Sequence, residues 1–312
     1  MTDYTKEYAF AKKVALECGQ TALKYYNKNG GAAAKQGVTI DEKVSATDLV
    51  TAGDKASERH FIDRVNGEFP DHLVLGEENS AAATENLKNA AETAKPAPKN
   101  LKDLPKNSKI WIIDPIDGTM SFVHGFEFWC VSIGLVADGE IILGVIYQPT
   151  KNLLYHAIKG QGSFCENLST GEVTKLSVSQ QTTVKGSLYA SALASNYMDL
   201  NRKALLSGVH GIRAVGATAL MMCDIASGCC DFYSHIGIHS WDVCAGARII
   251  LEAGGFVYNH DFGGEFDLFE RKVGACATKE LAKDVFEKLG EECSVGPASD
   301  PNYQVRDVLA YA

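Results

Sequence analysis

One stretch near the middle of the chain constrains both its fold and its chemistry. Residues 110–121 read Ile-Trp-Ile-Ile-Asp-Pro-Ile-Asp-Gly-Thr-Met-Ser. An apolar run that stops at proline and glycine is typical of a buried strand that ends in a turn. Asp114 and Asp117 would then lie at the C-terminal end of a strand, where open α/β sheets bind ligands. Pro115 lacks an N–H group and Gly118 lacks a side chain, so the backbone there can face a cation or an anion. An Asp-rich turn without any ligand is the alternative interpretation of this stretch alone.

The rest of the chain alternates between predicted helices and strands without an internal repeat. Some segments have apolar residues at helical spacing, and others are short apolar runs, two of which flank the hairpin signal Asp138-Gly139. This alternation predicts a layered α/β sandwich with mixed sheets. We predict helices at residues 4–27, 54–69, 216–228, 241–253 and 278–289, and strands at residues 73–75, 128–136, 140–147, 153–158, 187–192, 231–235, 256–258 and 272–277.

Composition argues against several classes of partner. The net charge is -9 and the chain has no basic stripe, so binding of nucleic acid or of an anionic membrane is not expected. No segment approaches the ~18 apolar residues of a membrane span. The N-terminus is polar and lacks the apolar core of a signal peptide. The 9 cysteines form no Cys-x-x-Cys pair, which favours buried thiols in a reducing, cytoplasmic compartment.

We expect residues 1–312 to form a single catalytic unit with two loosely defined halves, residues 1–185 and 186–312. Residues 79–108 are rich in Ala, Lys, Asn and Pro, which predicts an exposed insertion. Gly160-Gln-Gly162 resembles half of a dinucleotide fingerprint, but it lacks the third glycine and a following helix, so we reject that interpretation. The absence of a Gly-Lys pair excludes a P-loop, and the absence of Gly-x-Ser-x-Gly argues against a nucleophile elbow.

Three further carboxylates stand in notable positions, although each has a purely structural explanation. Glu77 follows a short apolar strand, where it could be a loop residue. Asp242 lies in the first turn of a predicted helix, where the helix dipole favours it. Asp54 has the spacing of a capping box with Thr51. If all of them gather at one sheet edge, they repel one another unless cations neutralise them, and oxygen ligands favour magnesium. Two such ions can polarise a phosphoryl group and activate a water molecule.

Four ordered motifs together resemble those of the inositol monophosphatase family. The first signature matches Trp111 to Thr119, followed by Ser121-Phe-Val-His124, and the second matches Trp241-Asp-Val-Cys-Ala-Gly246 with Glu252-Ala-Gly-Gly255 behind it. Gly76-Glu-Glu78 and the segment 48–54 match upstream elements. The resemblance covers residues 43–282 and implies an αβαβα sandwich of the sugar-phosphatase type. It also implies a homodimer that acts on a small phosphomonoester.

The resemblance implies two to three Mg²⁺ ions per subunit. Glu77, Asp114 and the carbonyl of Ile116 would hold the first ion. Asp114, Asp117 and Asp242 would hold the second, and a third, weaker ion would bind near Glu77. Inhibition by Li⁺ and Ca²⁺ at these sites is expected for the same reason.

The resemblance also implies a catalytic set and a phosphate site. Asp54, Thr119 and Glu77 would be catalytic, with Thr119 hydrogen-bonded to Asp54 and orienting the water that attacks phosphorus. The N–H groups of Gly118 and Thr119 would bind phosphate oxygens, and Lys43 would support the metal site.

The residues implied on the substrate side depart from the family pattern. His235 occupies a position usually filled by a glutamate, and Ala217-Thr218 reverses the usual Thr-Ala order. Ser195 falls in the loop expected near the substrate ring. The resemblance implies that Ser195, Thr218 and His235 bind the substrate. They would do so together with Asp117, Gly118, Thr119 and Asp242.

The expected activity is Mg²⁺-dependent hydrolysis of myo-inositol monophosphates by direct attack of water. The alternatives are the same chemistry on galactose 1-phosphate, 3'-phosphoadenosine 5'-phosphate or another sugar phosphate. A regulatory protein that binds metal without turnover is a further alternative, against which the Asp54 and Thr119 pair argues. A structural calcium protein would need an Asp-x-Asp-x-Asp loop, which the sequence lacks.

Overall fold

The computed structural model describes residues 3–26, 40–42, 49–78, 101, 104, 107–192, 198–259 and 266–293. Lys43 and Ser195, both expected near the site, lie outside these residues. The helices within them are α1 (Thr5–Leu23), α2 (Ala52–Glu68), α3 (Thr119–His124), α4 (Met198–Leu206), α5 (Thr218–Ala226), α6 (Ser240–Glu252) and α7 (Lys279–Cys293). The strands are β1 (Ile40–Glu42), β2 (Leu49–Thr51), β3 (Leu73–Gly76), β4 (Lys109–Asp117), β5 (Cys130–Ala137), β6 (Glu140–Gln148), β7 (Leu153–Ile158), β8 (Ser163–Asn167), β9 (Glu172–Lys175), β10 (Leu188–Ser191), β11 (Gly211–Arg213), β12 (Phe232–Ile236), β13 (Phe256–Tyr258) and β14 (Lys272–Cys276).

The described strands form two large sheets and one small one. The larger sheet has seven strands in the order β3-β4-β5-β6-β7-β8-β9. Its β3 and β4 are parallel, and its other neighbours are antiparallel. The second sheet has five strands in the order β11-β10-β12-β14-β13, with β10 parallel to both β11 and β12. Strands β1 and β2 form a separate antiparallel pair. The predicted mixed sheets are therefore confirmed.

Helices cover both faces of the seven-stranded sheet, because both faces of its central strands are apolar. On β4, Trp111 and Ile113 join the hydrophobic cluster under α1 and α2, whereas Ile110 and Ile112 join the cluster around α5 and α6. The five-stranded sheet packs on the other side of α5 and α6, and α4 and α7 cover its outer face. The layers are thus α, β, α, β and α, as the family resemblance implies.

Helix α6 packs closely against the seven-stranded sheet because two glycines face it. A Cβ atom at Gly134 would collide with the side chain of Cys244, and one at Gly144 would collide with the backbone of Ala245. These collisions explain why the central strands β5 and β6 carry glycine in otherwise β-branched runs. The N-terminal half of α6 is thereby held close to the sheet.

Three sequence expectations are refined by the structure. Within the segment 79–108, Leu101 and Leu104 are buried in the main core, so an exposed insertion does not extend over these two positions. The backbone N–H groups of Gly160 and Gly162 donate to the carboxylate of Glu252, which explains this glycine pair without a nucleotide. Among the described residues, no helix is both long and apolar enough to cross a membrane.

Candidate active site

A β-bulge places the two aspartates of β4 on the same face of the sheet. Asp114 lies opposite Ser132 of β5, and Asp117 lies opposite Cys130. Three residues of β4 therefore span two residues of β5, so one extra residue lies between the aspartates. Side chains three positions apart on a regular strand point to opposite faces, and the bulge removes this difference. Pro115 is compatible with this position because proline is tolerated at bulges.

The face that carries both aspartates is covered by the N-terminal ends of α5 and α6. The backbone N–H groups of Thr218 and Ala219, in the first turn of α5, donate to Asp117 at 3.1 and 2.6 Å. Across the same face, the hydroxyl of Ser132 donates to the carbonyl of Trp241 at 3.2 Å. The start of α6 is therefore anchored beside the bulge.

Asp242 completes a cluster of three carboxylates. It occupies the third position of α6, where its carboxylate accepts the N–H of His239 at 3.0 Å in a capping box. Carboxylate oxygens of Asp114, Asp117 and Asp242 all lie within 4.8 Å of one another. The helix-capping explanation for Asp242 and its place in an acidic cluster are thus both correct.

Glu77 and Asp54 reach the same region from two other elements. Glu77 follows β3, whose last residue Gly76 pairs in parallel with Ile113, so Glu77 stands beside Asp114. Asp54 caps α2, accepting the N–H of Thr51 at 2.8 Å and the hydroxyl of Thr51 at 2.5 Å. The charges of Glu77 and Asp54 both act on Asp114.

The electrostatics of the cluster require a compensating positive charge. Burial raises the pKa of Asp114 well above its usual value, and the charges of Glu77, Asp117, Asp242 and Asp54 raise it further. The pKa of Asp117 is also raised, first by burial and then by Asp242, although hydrogen bonds from Ala219, Thr218 and Cys130 oppose this shift. Each carboxyl group is therefore costly to ionise in the absence of a cation.

The donor set of the cluster fits a divalent metal ion. Among the described residues, no lysine, arginine or histidine lowers the pKa of Asp114 or Asp117, and a bound divalent cation would supply the missing positive charge. Carboxylate oxygens without sulfur or imidazole are the ligands of hard cations such as magnesium. His124 is exposed and His239 is hydrogen-bonded to Arg271, and neither belongs to the cluster.

The turn after the bulge is held open by glycine and supported by aromatic side chains. Gly118 has a φ of 92°, and a Cβ atom there would lie 2.7 Å from the carbonyl oxygen of Phe128. Below the turn, Phe122 packs edge-on against Trp129, and Ile116 is buried with them. Gly118 and Thr119 remain partly exposed at the start of α3, where backbone N–H groups can face an anion.

The hydrogen bond of Thr119 differs from the one expected. The Thr119 hydroxyl donates to the carbonyl of Ile116 at 3.0 Å, and Asp54 instead accepts from Thr51. A hydroxyl has only one proton to donate, so the expected donation from Thr119 to Asp54 is not made in this structure. Thr119 closes its own turn, as threonine often does near a helix start.

The residues expected on the substrate side lie next to Asp117. Thr218 begins α5, and its hydroxyl lies 3.0 Å from the hydroxyl of Tyr233 on β12. The same tyrosine lies 2.7 Å from Nδ1 of His235, which is partly exposed. Thr218 and His235 therefore belong to one hydrogen-bonded group.

Three functional neighbours escaped the sequence reasoning: Ala219, Cys130 and Tyr233. The first contributes only a backbone N–H group, which no pattern of side chains reveals. Cys130 donates its thiol to Asp117 at 3.6 Å and looks like an ordinary core residue in the sequence. Tyr233 could have been found, because residues two apart on a strand share a face with each other, here with His235.

Comparison with known proteins gives consistent matches over most of the chain. Residues 3–293 match the sequence profile of the inositol monophosphatase family. Inositol monophosphatase 1 of Bos taurus is 37% identical over 273 residues, covering 85% of this chain and 88% of that protein. Human inositol monophosphatase 2 is 34% identical over 278 residues, covering 88% and 90%.

Solved structures also share the fold, as two examples show. The IMPase of Thermotoga maritima superposes with a TM-score of 0.72 at 25% identity, covering 92% of this chain and 100% of that one. The inositol monophosphatase of Anabaena superposes with a TM-score of 0.69 at 25% identity, covering 96% and 99%.

The sandwich of two mixed sheets and its largely buried acidic cluster define a phosphomonoesterase of the sugar-phosphatase class, in which metal ions are required for activity. The chain belongs to the inositol monophosphatase family.

Proposed function

We propose that the protein is a Mg²⁺-dependent phosphatase that hydrolyses myo-inositol monophosphates to myo-inositol and phosphate. The observation that carries this proposal is the cluster of the buried Asp114 and Asp117 with the half-buried Asp242, whose oxygens lie within 4.8 Å of one another. Gathering these carboxylates in a site largely shielded from water is costly, and a bound divalent cation removes the cost. The relatives named inositol monophosphatase support the choice of substrate.

The proposed ligands divide into two groups that share one residue. Glu77, Asp114 and the carbonyl of Ile116 would hold one magnesium ion, and Asp114, Asp117 and Asp242 would hold another. Asp114 would bridge them, in agreement with the charges of Glu77, Asp117 and Asp242, which all act on it. A third, weaker ion would bind near Glu77.

Magnesium, when bound, supplies positive charge that lowers the pKa of water and offsets the charge of the phosphate. The residues of the chain orient the reactants. The oxygen of Thr119 keeps acceptor capacity while its proton is donated to Ile116, so it can accept a hydrogen bond from the attacking water. We propose that Asp54 and Glu77 complete this orientation from the two neighbouring elements.

The phosphate would bind at the start of α3 and between the ends of α5 and α6. The N–H groups of Gly118 and Thr119 are available to phosphate oxygens, and Asp117 and Asp242 border the same space. The ring of the substrate would then extend toward Thr218 and His235. Ser195 is proposed to contact the ring as well, and Lys43 to support the metal site.

Three further properties are proposed from the family. We propose that the active form is a homodimer and that Li⁺ and Ca²⁺ inhibit it by competing for the magnesium sites. We also propose a cytoplasmic location, which the cysteines support, since six of the eight cysteines described are buried and none of the eight forms a disulfide.

A phosphate-release assay with magnesium tests the substrate. The purified protein is given inositol 1-phosphate, galactose 1-phosphate and 3'-phosphoadenosine 5'-phosphate in parallel. The proposal expects the highest kcat/KM for inositol 1-phosphate and no turnover in the presence of a chelator. A higher kcat/KM for either of the other two would transfer the proposal to that substrate, and no turnover of any would favour a regulatory metal-binding protein.

A further inference from the structure

Helix α2 carries a buried carboxylate, that of Glu58, which is not a member of the three-carboxylate cluster. The residue is only 2% exposed, although glutamate is among the residues least often buried. Its Oε2 accepts the backbone N–H of Glu78, 20 residues further along the chain, at 2.9 Å. Because a carboxylate loses much hydration free energy on burial, this contact calls for a physical explanation.

The contact lies directly after the strand that leads to Glu77. Gly76 ends β3 and pairs in parallel with Ile113 of β4, so the sheet fixes the backbone before Glu77. At Glu77 and Glu78 the backbone has left the sheet and is helical. The first N–H groups of a helical segment have no partner within it, so another element or water must supply their acceptors. Glu58 supplies the acceptor at Glu78.

Gly76 leaves the space that the carboxylate of Glu58 needs to reach this N–H group. A Cβ atom at position 76 would overlap Oε2 and Cδ of Glu58. A larger residue there would therefore force the carboxylate away from the N–H of Glu78. The carboxylate thus lies against the chain on both sides of Glu77, at Gly76 before it and at the N–H of Glu78 after it. Since the backbone is held on both sides, the direction of the Cα–Cβ bond of Glu77 is fixed.

The start of α2 is itself anchored beside the acidic cluster. Asp54 and Glu58 are four positions apart, so they share one face of the helix. Asp54 caps the helix, and its charge acts on Asp114. Glu58, one turn later, reaches the segment that carries Glu77, whose charge also acts on Asp114. The two buried carboxylates of α2 therefore lie beside neighbouring parts of the same site.

We propose that Glu58 is a positioning residue for Glu77 and that it thereby sets the affinity of the metal ion that Glu77 shares with Asp114. This inference rests on the proposed function, because it takes Glu77 to be a metal ligand. A ligand whose backbone is held in advance loses little freedom when the ion binds, whereas a ligand on a loose turn must first be ordered. In this role Glu58 acts on the peptide group between Glu77 and Glu78 and is not itself a ligand.

Binding of Mn²⁺ to the metal-free protein, followed by electron paramagnetic resonance of the free ion, tests the proposal without turnover. Glu58→Gln keeps an acceptor oxygen in the same place, whereas Glu58→Leu removes it at similar volume. Glu58→Leu should weaken the binding of one ion about tenfold, and Glu58→Gln should stay within about twofold of the wild type. If the two variants weaken binding equally, the charge of Glu58 acts rather than its hydrogen bond, and the proposal is overturned. Unchanged binding in Glu58→Leu would overturn it as well.

The variant Glu77→Gln shows whether Glu58 acts through Glu77. In that variant, the ions that still bind should keep their affinity when Glu58→Leu is added, because both changes affect the same ligand. A further loss of affinity in the double variant would mean that Glu58 acts on another part of the site, against the proposal.

Glu7→Leu is the matched control, and Gly76→Ala is an independent variant. Glu7 is a buried carboxylate on α1 that pairs with Lys109 at 2.7 Å, at the opposite end of β4 from the aspartates. Glu7→Leu should lower the free energy of unfolding but change Mn²⁺ affinity by less than about twofold. Gly76→Ala should weaken the same ion as Glu58→Leu, and it decides the question if Glu58→Leu does not fold. An equal loss of affinity in Glu7→Leu, or wild-type affinity in Gly76→Ala, would contradict the positioning role.

The magnesium dependence of turnover gives a second readout. Glu58→Leu should raise the Mg²⁺ concentration for half-maximal rate about tenfold, while kcat at saturating Mg²⁺ changes less than about threefold. A loss of rate that added Mg²⁺ does not restore would contradict an action through metal affinity.

The two readouts separate the positioning role from the proposed function. If the wild type hydrolyses none of the three phosphate esters but Glu58→Leu weakens one Mn²⁺ ion, the proposed function fails and the positioning role stands. If inositol 1-phosphate is hydrolysed but Glu58→Leu binds Mn²⁺ as the wild type does, the positioning role fails and the proposed function stands.

Discussion

Replacing Asp114 by asparagine should stabilise the metal-free protein while it abolishes activity. The exchange keeps the shape of the side chain and its acceptor for the N–H of Ile116, which lies at 3.0 Å. It removes one of three charges that lie within 4.8 Å of one another. If Asp114 instead stabilised the metal-free fold, the same exchange would lower the free energy of unfolding.

The size of the effect follows from two bounds. Two like charges 4.8 Å apart repel by about 3 kcal/mol at an effective dielectric constant near 20, and Asp114 has more than one such neighbour. Protonation relieves the repulsion, and at pH 7 it costs about 4 kcal/mol for a group whose ordinary pKa is 3.8. We therefore expect Asp114→Asn to gain about 1–4 kcal/mol in free energy of unfolding without metal.

The pH dependence of this gain has a definite sign. Asp114 has a raised pKa in the folded protein, so the folded state binds its proton more tightly than the unfolded state does. The wild type is therefore penalised at neutral pH, and the penalty disappears as the pH falls below the ordinary pKa of 3.8, where both states are protonated. The difference between variant and wild type should shrink in acid.

Urea unfolding in a chelator, followed by the fluorescence of the three buried tryptophans, measures the gain. Asp231→Asn is the matched control, because Asp231 accepts hydrogen bonds from Ser179 and Leu188 outside the cluster. An asparagine there loses one acceptor, so that variant should be destabilised by about 1 kcal/mol. Adding Mg²⁺ should stabilise the wild type and not Asp114→Asn, and turnover should fall about a hundredfold or more. If Asp114→Asn is less stable than the metal-free wild type, the reasoning about the cluster is refuted.

Two further predictions concern the turn and a buried histidine. Gly118→Ala should lower kcat and reduce the free energy of unfolding more than Gly254→Ala does. Both glycines have a positive φ, but only at Gly118 would the added Cβ lie 2.7 Å from a backbone oxygen. Similar losses of unfolding free energy in urea for the two variants would contradict this. His156 contacts the Tyr8 hydroxyl, and burial lowers its pKa to about 4, an effect that prevails over the carboxylate of Glu166 at 3.7 Å. The contribution of the neutral His156 to the free energy of unfolding should thus be fully present above the ordinary pKa of 6.5 and fall by about 2–3 kcal/mol as the pH drops toward 4. His156→Gln should flatten the dependence of the free energy of unfolding on pH in this range. An unchanged dependence would show that other groups cause it.

Most of the secondary structure could be predicted because its signals are local. Apolar periodicity placed the helices and strands that form the two sheets, and the hairpin at Asp138-Gly139 joins β5 and β6 as predicted. The short strands β8 and β9 were not predicted. Strand β8 is mostly half-buried and β9 is exposed throughout, and both depend on antiparallel pairing with β7 and with each other rather than on apolar content.

The acidic cluster could be predicted only in outline. The sequence motifs identified Asp114, Asp117 and Asp242, and the structure brings their oxygens together. The bulge that turns Asp114 and Asp117 to one face depends on pairing with β5, and no local pattern encodes that register. The hydrogen bond of Thr119 to Ile116 was missed for a different reason. A hydroxyl can rotate toward any acceptor nearby, and the sequence does not show which acceptor it will face.

The place of the metal ions tests the central claim most directly. Crystals grown with Mn²⁺ as a scattering substitute for magnesium, measured at the manganese absorption edge, locate each ion by its anomalous signal. The account predicts peaks bordered by Asp114, Asp117 and Asp242, with a further peak between Asp114 and Glu77. Ions bound elsewhere in the fold, with these carboxylates left unligated, would contradict it.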